Sequence, residues 1–349
     1  MRTLPRLAIL LAALLGVTAC TAPSPPPAPG APLADAPVWP RPPEEARVRY
    51  LRTVGNASDW GVHKSIFRRA LDALTGHVDG HLVRPTGVAV AGAVLYVADP
   101  GARALWIFDA GNGRSVRVEE IGGVRLASPV AVAARPDGSA YVADSVLKTV
   151  FHVGIDGALL GIAAQEGLQQ PTGLAFDVAA DRLFVADPGA NRVVTVGPDA
   201  RVSGARGDGG EDEGQFNRPT HIAVDASGTV IVTDALNFRI QAIDRDGRFL
   251  WKLGHHGDGS GDLAAPKGVA SDRAGHIYVV DALFDMVQVF DRDGSFLLGF
   301  GGHGEGAGQF WLPNGLAIDG NDRLYVADAY NRRIEVFALL TPAAKESRP

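Results

Sequence analysis

The stretches RPTHIAVDASGTVIVTDA at residues 218–235 and LPNGLAIDGNDRLYVADA at residues 312–329 are two copies of one unit. Each copy carries a proline at its second position, and successive prolines of this kind are 42 to 48 residues apart. Self-similarity at a fixed period of this length is typical of repeat architectures, and it decides the fold. Four further copies begin at Arg84, Ser128, Gln170 and Ala265.

Within the copy that begins at Arg218, short apolar runs alternate with turns rich in Asp and Gly. Apolar runs bounded by turn residues predict strands. Four antiparallel strands in a unit of this length predict a propeller blade, so the sequence predicts an all-β, six-bladed β-propeller of four-stranded blades. The four runs are HIAVD, TVIVTD, RIQAID and FLWKLG, at residues 221–225, 229–234, 239–244 and 249–254.

The sixth copy ends too early to form a complete blade. RIEVFA, at residues 333–338, is its third strand, and LLTPAAKESRP after it contains no fourth. VRYLRTVG, at residues 48–55, matches the fourth-strand pattern of FLLGFG at residues 296–301. We therefore expect the N-terminal strand to complete the last blade, which closes the ring and leaves no open sheet edge at the seam.

The repeated pattern P-x-G-[VIL]-A-x-D, followed by YVAD, N-x-R-I and G-x-G-x-x-x-G-Q-F, resembles the NHL repeat. The first two copies depart from it, with Ala102-Arg103 and Leu147-Lys148 in place of the Asn and Arg. The resemblance covers residues 44–340 and implies a six-bladed propeller whose relatives are mostly interaction scaffolds and sometimes enzymes. Close matches are Asn237-Phe238-Arg239-Ile240, Asn331-Arg332-Arg333-Ile334, Gly214-Gln215-Phe216 and Gly308-Gln309-Phe310.

The start of the chain, MRTLPRLAILLAALLGVTAC, has the layout of a secretory signal and is too short at its apolar core to remain as a membrane span. Val17-Thr18-Ala19-Cys20 resembles a bacterial lipobox, and Cys20 is the only cysteine in the chain. The resemblance implies a signal peptide at residues 1–20 and a lipid on Cys20. With Thr21 after the cysteine, it also implies an outer-membrane lipoprotein of the cell envelope that faces the periplasm.

The rest of the chain divides by composition. Residues 21–43 are rich in proline and predict an extended tether, followed by a folded domain at residues 44–340 and a tail at residues 341–349. Inside the domain, residues 56–83 do not follow the repeat, and their apolar spacing predicts one short extra helix. The helix face consists of Ile66, Phe67, Ala70, Leu71 and Leu74.

Composition also excludes several functions. The formal net charge is −6 at pH 7 and there is no arginine-rich run, so we expect no nucleic-acid partner. No serine lies in a G-x-S-x-G pattern, so no serine triad is predicted. The glycine-rich stretches at residues 207–216, 255–263 and 301–310 precede no helix and are interpreted as loops between blades. We expect a monomeric propeller that contacts the membrane through its lipid anchor only.

In a propeller, the residues just after the anchoring prolines face the central channel near one mouth. Gluconolactonase-like propellers, which the chain resembles, hold a divalent cation there with an Asn and acidic groups. Asn314 matches, but no carboxylate accompanies it. The amidating lyases hold zinc with three histidines from different blades, and here His221 is the only histidine in its column. The first position after each proline holds Thr86, Val130, Thr172, Thr220, Lys267 and Asn314, and the second holds Gly87, Ala131, Gly173, His221, Gly268 and Gly315.

The sequence therefore predicts a non-catalytic binding or scaffold propeller, with no cofactor, that recognises an envelope protein, peptide or polymer at the channel mouth or loop face. The alternative is a metal-dependent lyase or hydrolase. In it, His77 and His81, from the loop before the first blade, would join His221 in holding zinc or calcium. The predicted ligand-binding residues are Thr86, Thr172, Thr220, His221, Lys267 and Asn314.

An aspartate ends the second strand of every copy, and in three copies an arginine follows five residues later, at Arg192, Arg239 and Arg333. A ring of acids could hold a cation. Their presence in every copy favours a turn cap that accepts backbone hydrogen bonds and pairs with the arginine. Phe216 and Phe310 are predicted to wedge between blades. The aspartates are Asp99, Asp144, Asp187, Asp234, Asp281 and Asp328.

Overall fold

The structure is a computed structural model that describes residues 36–63 and 80–340. The predicted signal peptide with Cys20, residues 21–35 of the predicted tether, His77, the predicted helix face and the tail at residues 341–349 lie outside the described residues. Within the described residues, no helix is long and apolar enough to cross a lipid bilayer.

The described chain forms an all-β propeller of six blades, as the repeats predict. Two strands come first, β1 (Val38–Trp39) and β2 (Val48–Val54). Blade 1 contains β3 (Gly87–Ala91), β4 (Val94–Asp99), β5 (Ala104–Asp109) and β6 (Arg114–Val118). A short hairpin of β7 (Glu120–Ile121) and β8 (Val124–Arg125) follows. Blade 2 contains β9 (Pro129–Ala134), β10 (Ala140–Asp144), β11 (Thr149–Val153) and β12 (Leu159–Ala164).

The remaining blades repeat this order. Blade 3 contains β13 (Gly173–Asp177), β14 (Arg182–Asp187), β15 (Arg192–Val196) and β16 (Val202–Arg206). Blade 4 contains β17 (Pro219–Val224), β18 (Val230–Asp234), β19 (Arg239–Ile243) and β20 (Phe249–Leu253), with a 3₁₀ turn at Ala235–Asn237. Blade 5 contains β21 (Pro266–Ser271), β22 (Ile277–Asp281), β23 (Met286–Phe290) and β24 (Phe296–Gly301). Blade 6 contains β25 (Pro313–Ile318), β26 (Arg323–Asp328) and β27 (Arg333–Leu339).

The N-terminal strand completes blade 6, which confirms the predicted closure. β2 pairs antiparallel with β27, from Val48 opposite Leu339 to Val54 opposite Ile334. The inner strands of the last and first blades are also joined, because the Gly315 N–H donates to the Thr86 carbonyl at 2.9 Å. The ring is therefore closed both at its outer edge and around the channel.

Strand pairing extends the last sheet beyond residue 44, the predicted start of the folded domain. β1 adds a fifth strand to blade 6 by pairing with β2, with Trp39 opposite Val48. The Trp39 ring lies 5.7 Å from Phe300 and 5.9 Å from Phe337, centroid to centroid. Proline content alone placed this segment in the tether, but one large aromatic side chain gives it enough apolar contact to pack against blades 5 and 6.

The core is divided into six apolar clusters, each lying between two neighbouring blades. Phe216 and Phe310 are fully buried in two of them, between blades 3 and 4 and between blades 5 and 6, which confirms their prediction as wedges. Between blades 6 and 1 the cluster also takes up Trp60, whose Nε1–H donates to the Ala93 carbonyl at 2.8 Å. Since every seam contains such a cluster, apolar burial holds each blade to both of its neighbours.

The recurring aspartates are buried turn caps, as predicted. Asp234 accepts the backbone N–H of Asn217 at 2.6 Å and the Nε–H of Arg239 at 2.8 Å. Arg239 also donates to three carbonyl oxygens of the loop before its blade, so one guanidinium binds that loop to the blade. The same backbone capping is made by Asp99, Asp144, Asp187, Asp281 and Asp328.

Candidate functional site

The anchoring prolines and the capping aspartates lie at the same end of the propeller, because Pro219 pairs with Asp234 and the other blades repeat this register. The turns between second and third strands and the connections between blades are at this end too. We call it the loop face. The strand order places the first strand of each blade beside the channel, so residues after the prolines lie near its mouth.

The channel is narrow because the inner strands approach one another closely. A Cβ on Gly173 would lie 2.7 Å from the Thr220 carbonyl oxygen, and one on Gly87 would lie 2.8 Å from that of Val130. Only glycine allows backbones this close. The cavity that remains between the inner strands measures about 50 Å³, which admits little more than water. A solute must therefore be held at the mouth rather than inside the channel.

The predicted residues of blades 4, 5 and 6 lie in β-bulges. In blade 4 the pairing passes from Pro219 directly to Ile222, so that Thr220 and His221 together oppose one residue of β18. A bulge turns side chains away from the regular alternation of a strand and is common beside functional sites. The same two-residue step occurs at Lys267-Gly268 and at Asn314-Gly315.

His221 fills the channel position that is glycine or alanine in the other blades. Its Nε2 lies 3.0 Å from Asn314 Oδ1 of blade 6, and its Nδ1 lies 3.1 Å from Thr220 Oγ1. Burial, followed by the charge of Lys267, lowers the pKa of His221 to about 4. The imidazole is therefore neutral at physiological pH and donates from Nε2 while it accepts at Nδ1.

Lys267 and Arg218 place positive charge at the mouth. Burial, followed by repulsion from Arg218, lowers the pKa of Lys267. Neither side chain has a hydrogen-bond or ion-pair partner among the described residues. Asp281, whose charge acts on Lys267, is occupied as a turn cap by the N–H groups of Ala264 and Ala265.

Two other predicted residues perform a structural task. Thr86 Oγ1 donates to the Val130 carbonyl and Thr172 Oγ1 donates to the Thr220 carbonyl, each at 2.9 Å. Each threonine thus binds its blade to the equivalent residue of the next blade. Of the predicted ligand-binding residues, the structure brings together Thr220, His221 and Asn314, with Lys267 adjacent. The hydroxyl groups of Thr86 and Thr172 donate to backbone carbonyls instead.

A ring of exposed apolar side chains surrounds the mouth and was missed from the sequence. Four blades carry such a residue two positions after the capping aspartate, at the tip of the turn that follows the second strand. The only sequence signal is a large apolar residue at a turn position where polar residues are expected. This apolar ring consists of Val146, Leu236, Leu283 and Tyr330, which are 64%, 50%, 65% and 50% exposed.

Aromatic surface extends the ring on blade 6. Trp311 is 40% exposed, and its ring centroid lies 5.7 Å from that of Tyr330. Cations are also grouped on the loop face. None of them forms an ion pair with another described residue. In the acidic loop at residues 207–216, Glu213 contacts Lys252 of the outermost strand at 3.2 Å. The cations are Arg84, Arg103, Lys148, Arg218, Lys267 and Arg332.

The alternative metal site is not assembled by the part of the chain that the structure describes. No group of three or more His, Cys, Asp and Glu residues that could hold a metal occurs among residues 36–63 and 80–340. His81 is exposed beside Gly80, which lies against Trp106 of blade 1. Both nitrogens of His221 are hydrogen-bonded, and His77 lies outside the described residues.

A larger cavity of about 890 Å³ opens between blades 5 and 6 at the opposite end of the propeller. Leu297, Leu298 and Leu339 line it. Its charged groups are largely paired with one another, because Asp272 accepts from His276 and Tyr278 and Arg273 contacts Asp322. The loop face instead combines cations that have no ion-pair partner among the described residues with exposed apolar side chains, which makes it the better candidate.

Comparison with known proteins supports the architecture. A family model described as a six-bladed β-propeller matches residues 269–346. A solved protein of unknown function from Bacteroides thetaiotaomicron superposes with a TM-score of 0.61 at 15% identity, covering 84% of this chain and 75% of that one. An auxiliary nutrient binding protein from the same organism gives 0.58 at 12% identity, with 74% and 70% covered.

A streptogramin B lyase is also similar, with a TM-score of 0.55 at 13% identity and with 75% of this chain and 85% of that chain covered. Identities this low show a common fold and nothing about activity. The chain is therefore a six-bladed propeller whose structural neighbours include an enzyme and a binding protein, and the NHL resemblance stays a prediction.

Proposed function

We propose that this protein is a non-catalytic binding module whose loop face holds a protein or peptide segment with both apolar and acidic side chains. The apolar ring is the observation that carries the proposal. Turn tips are normally polar, and isolated exposed apolar residues need no explanation, but here they recur at one position in four blades around one mouth. Their burial by a partner would stabilise the complex.

The cations near the mouth select the kind of partner. The chain as a whole is acidic, with a formal net charge of −6, yet the six cations around the mouth have no acidic partner among the described residues. A partner with carboxylates would complement them, and complementary charge favours both encounter and register. Trp311 and Tyr330 supply the large aromatic surface that is enriched in binding hot spots.

Attachment to the cell envelope is part of the proposal. The sequence pattern around Cys20 supports a lipid anchor, which would present the propeller at the membrane surface of the periplasm. Radiolabelled palmitate fed to a Gram-negative host should label the full chain and fail to label a Cys20→Ala variant. Equal labelling of both proteins would remove the anchor from the proposal.

The binding function can be tested with a random peptide library displayed on phage and panned against the full chain. Enriched peptides are synthesised, and their dissociation constants are measured by fluorescence anisotropy. We expect enriched sequences to combine apolar and acidic residues. Leu236→Ser and Leu283→Ser should each weaken binding by about tenfold, the effect of losing one hot-spot side chain.

Leu250→Ser is the matched control, because Leu250 is 47% exposed but belongs to the outer strand β20. It should leave peptide affinity unchanged. The proposal fails if no peptide is enriched, or if the control weakens binding as much as the two loop-face variants do. Circular dichroism of all three variants confirms that any loss comes from the surface rather than from unfolding.

A further inference from the structure

A cation at the first position after the proline is a departure from the repeat. Blades 1, 3 and 4 have threonine there, and in blades 1 and 3 the hydroxyl binds the carbonyl of the next blade. Lys267 gives up that hydrogen bond. It also lies half-buried beside a second cation, Arg218, and burial and repulsion both oppose its charge. The Lys267 side chain therefore adds no contact to the ring, which uses only the Lys267 carbonyl, an acceptor for Thr233 Oγ1 of blade 4 at 2.7 Å.

Polar groups of the neighbouring blades lie near this charge. The bulges of blades 5 and 6 carry Lys267 and Asn314, and Gly268 lies so close to blade 6 that a Cβ on it would be 2.7 Å from the Asn314 carbonyl oxygen. Asn314 Oδ1 is engaged by His221, which leaves the amide Nδ2–H₂ without a partner among the described residues. Two cations and an amide donor thus lie on neighbouring inner strands at the mouth, with neutral His221 hydrogen-bonded to the same amide group.

We propose that Lys267, Arg218 and the Asn314 amide form a subsite for one carboxylate group of the bound peptide segment. Lysine and arginine supply the charge, and the amide supplies a directed hydrogen bond to one carboxylate oxygen. The narrow channel below admits little more than water, so the carboxylate stays at the mouth while the apolar ring holds the flanking side chains. That this carboxylate belongs to a peptide segment rests on the proposed function.

The subsite can be tested without any peptide. The full chain contains five lysines, so the ¹⁵N signal of the Lys267 ammonium can be assigned by its absence in Lys267→Thr. Sodium acetate is titrated against sodium chloride at constant ionic strength. We expect a saturable shift of the Lys267 signal with acetate alone, and no such shift at Lys252, which is paired with Glu213. No saturable shift, or stronger saturation by inorganic phosphate than by acetate, would overturn the carboxylate assignment.

A second experiment compares a peptide obtained from the library with versions in which one carboxylate is replaced by a carboxamide. The C-terminal carboxylate becomes an amide in one version, and each Asp or Glu becomes Asn or Gln in the others. One of these changes should weaken binding by tenfold or more to the parent protein and should have a much smaller effect on binding to Lys267→Thr, which keeps only Arg218 and the Asn314 amide. Arg248→Thr, on a turn at the opposite end, is the control and should bind like the parent.

The two proposals fail in different ways. If peptides bind through Leu236 and Leu283 but every carboxamide version binds as well as its parent, the subsite is wrong and the binding function stands. If acetate saturates the Lys267 signal but no peptide is enriched, the subsite stands as an anion site and the peptide function is wrong. Lys267→Thr restores the residue of blades 1, 3 and 4, so we expect its unfolding midpoint to be at least that of the parent.

Discussion

His221 of blade 4 and Asn314 of blade 6 meet over the top of blade 5, with the imidazole Nε2 3.0 Å from the amide Oδ1. Most polar contacts between blades join neighbours, as the threonines of blades 1 and 3 do. This one joins two blades that are not adjacent. The residue that first suggested metal chemistry therefore acts, in this structure, as a bridge across the mouth.

The bridge should appear as an energetic coupling. We expect His221→Ala and Asn314→Val, which introduce the residue types of blade 2, to be non-additive in unfolding free energy by about 1 kcal/mol, the net value of one hydrogen bond. A double-mutant cycle by guanidinium unfolding measures it. Additivity within a few tenths of a kcal/mol would show that the two side chains do not support each other in solution.

Glu335 should make stability depend on pH. It is buried in β27, where blades 4 and 5 carry Gln241 and Gln288. Burial raises the pKa of Glu335 to about 7, even though Arg333 and a hydrogen bond from Thr53 oppose the rise. Arg333 Nη2 lies 2.9 Å from Oε1 but is not aligned for a hydrogen bond, so this ion pair offsets only part of the burial cost.

The unfolded chain loses the Glu335 proton near pH 4.5, whereas the folded protein retains it to about pH 7. Between these values the folded state binds more protons, so its stability falls as the pH rises. Glu335→Gln should remove this fall and add on the order of 3 kcal/mol at pH 8, since the pKa rises by about 2.5 units at about 1.4 kcal/mol per unit. Unfolding midpoints from pH 4.5 to 8 test this, and equal slopes for parent and variant would contradict it.

The arginine contacts differ between blades in a way that mutation can resolve. Arg239 donates to Asp234 and to three loop carbonyls, whereas Arg192 reaches Gly167 and lies 3.5 Å from Asp187, with its buried Nε unpaired. Lysine keeps the charge and loses the planar fork. We expect Arg239→Lys to lower the unfolding free energy by about 2 kcal/mol, and Arg192→Lys by less than about 1 kcal/mol. Equal losses would show that the loop contacts of Arg239 add nothing.

Trp39 should stabilise the seam between blades 5 and 6. Its ring packs on Phe300 and Phe337, and Gly308 lies so close to it that a Cβ there would touch the indole. Trp39→Ala removes this half-buried surface, and we expect a loss of about 2 kcal/mol, the scale of one buried apolar side chain. The change in thermal midpoint measures it. A thermal midpoint equal to that of the parent would show that residues 36–43 add nothing to the stability of the propeller, as expected for a tether.

The repeats predict the blades to within one or two residues, since turns and apolar runs are local properties of the chain. The closing strand was also predictable, because β27 has no partner that follows it in sequence. The bulges at Thr220-His221, Lys267-Gly268 and Asn314-Gly315 were not, because they depend on how closely neighbouring inner strands approach. Nor was the apolar ring, which becomes a surface only when turns about 47 residues apart are brought to one face.

The last blade is assembled from both ends of the chain, and this orders events during synthesis. Thr53 of β2 donates to Glu335 of β27, across 282 positions of sequence. While the ribosome makes blades 1 to 5, β27 does not yet exist, and the edge of β2 that pairs with it is available to any extended chain it encounters. Contacts this distant form slowly. A holding factor, or rapid completion of β27, would protect this edge from pairing with the wrong strand.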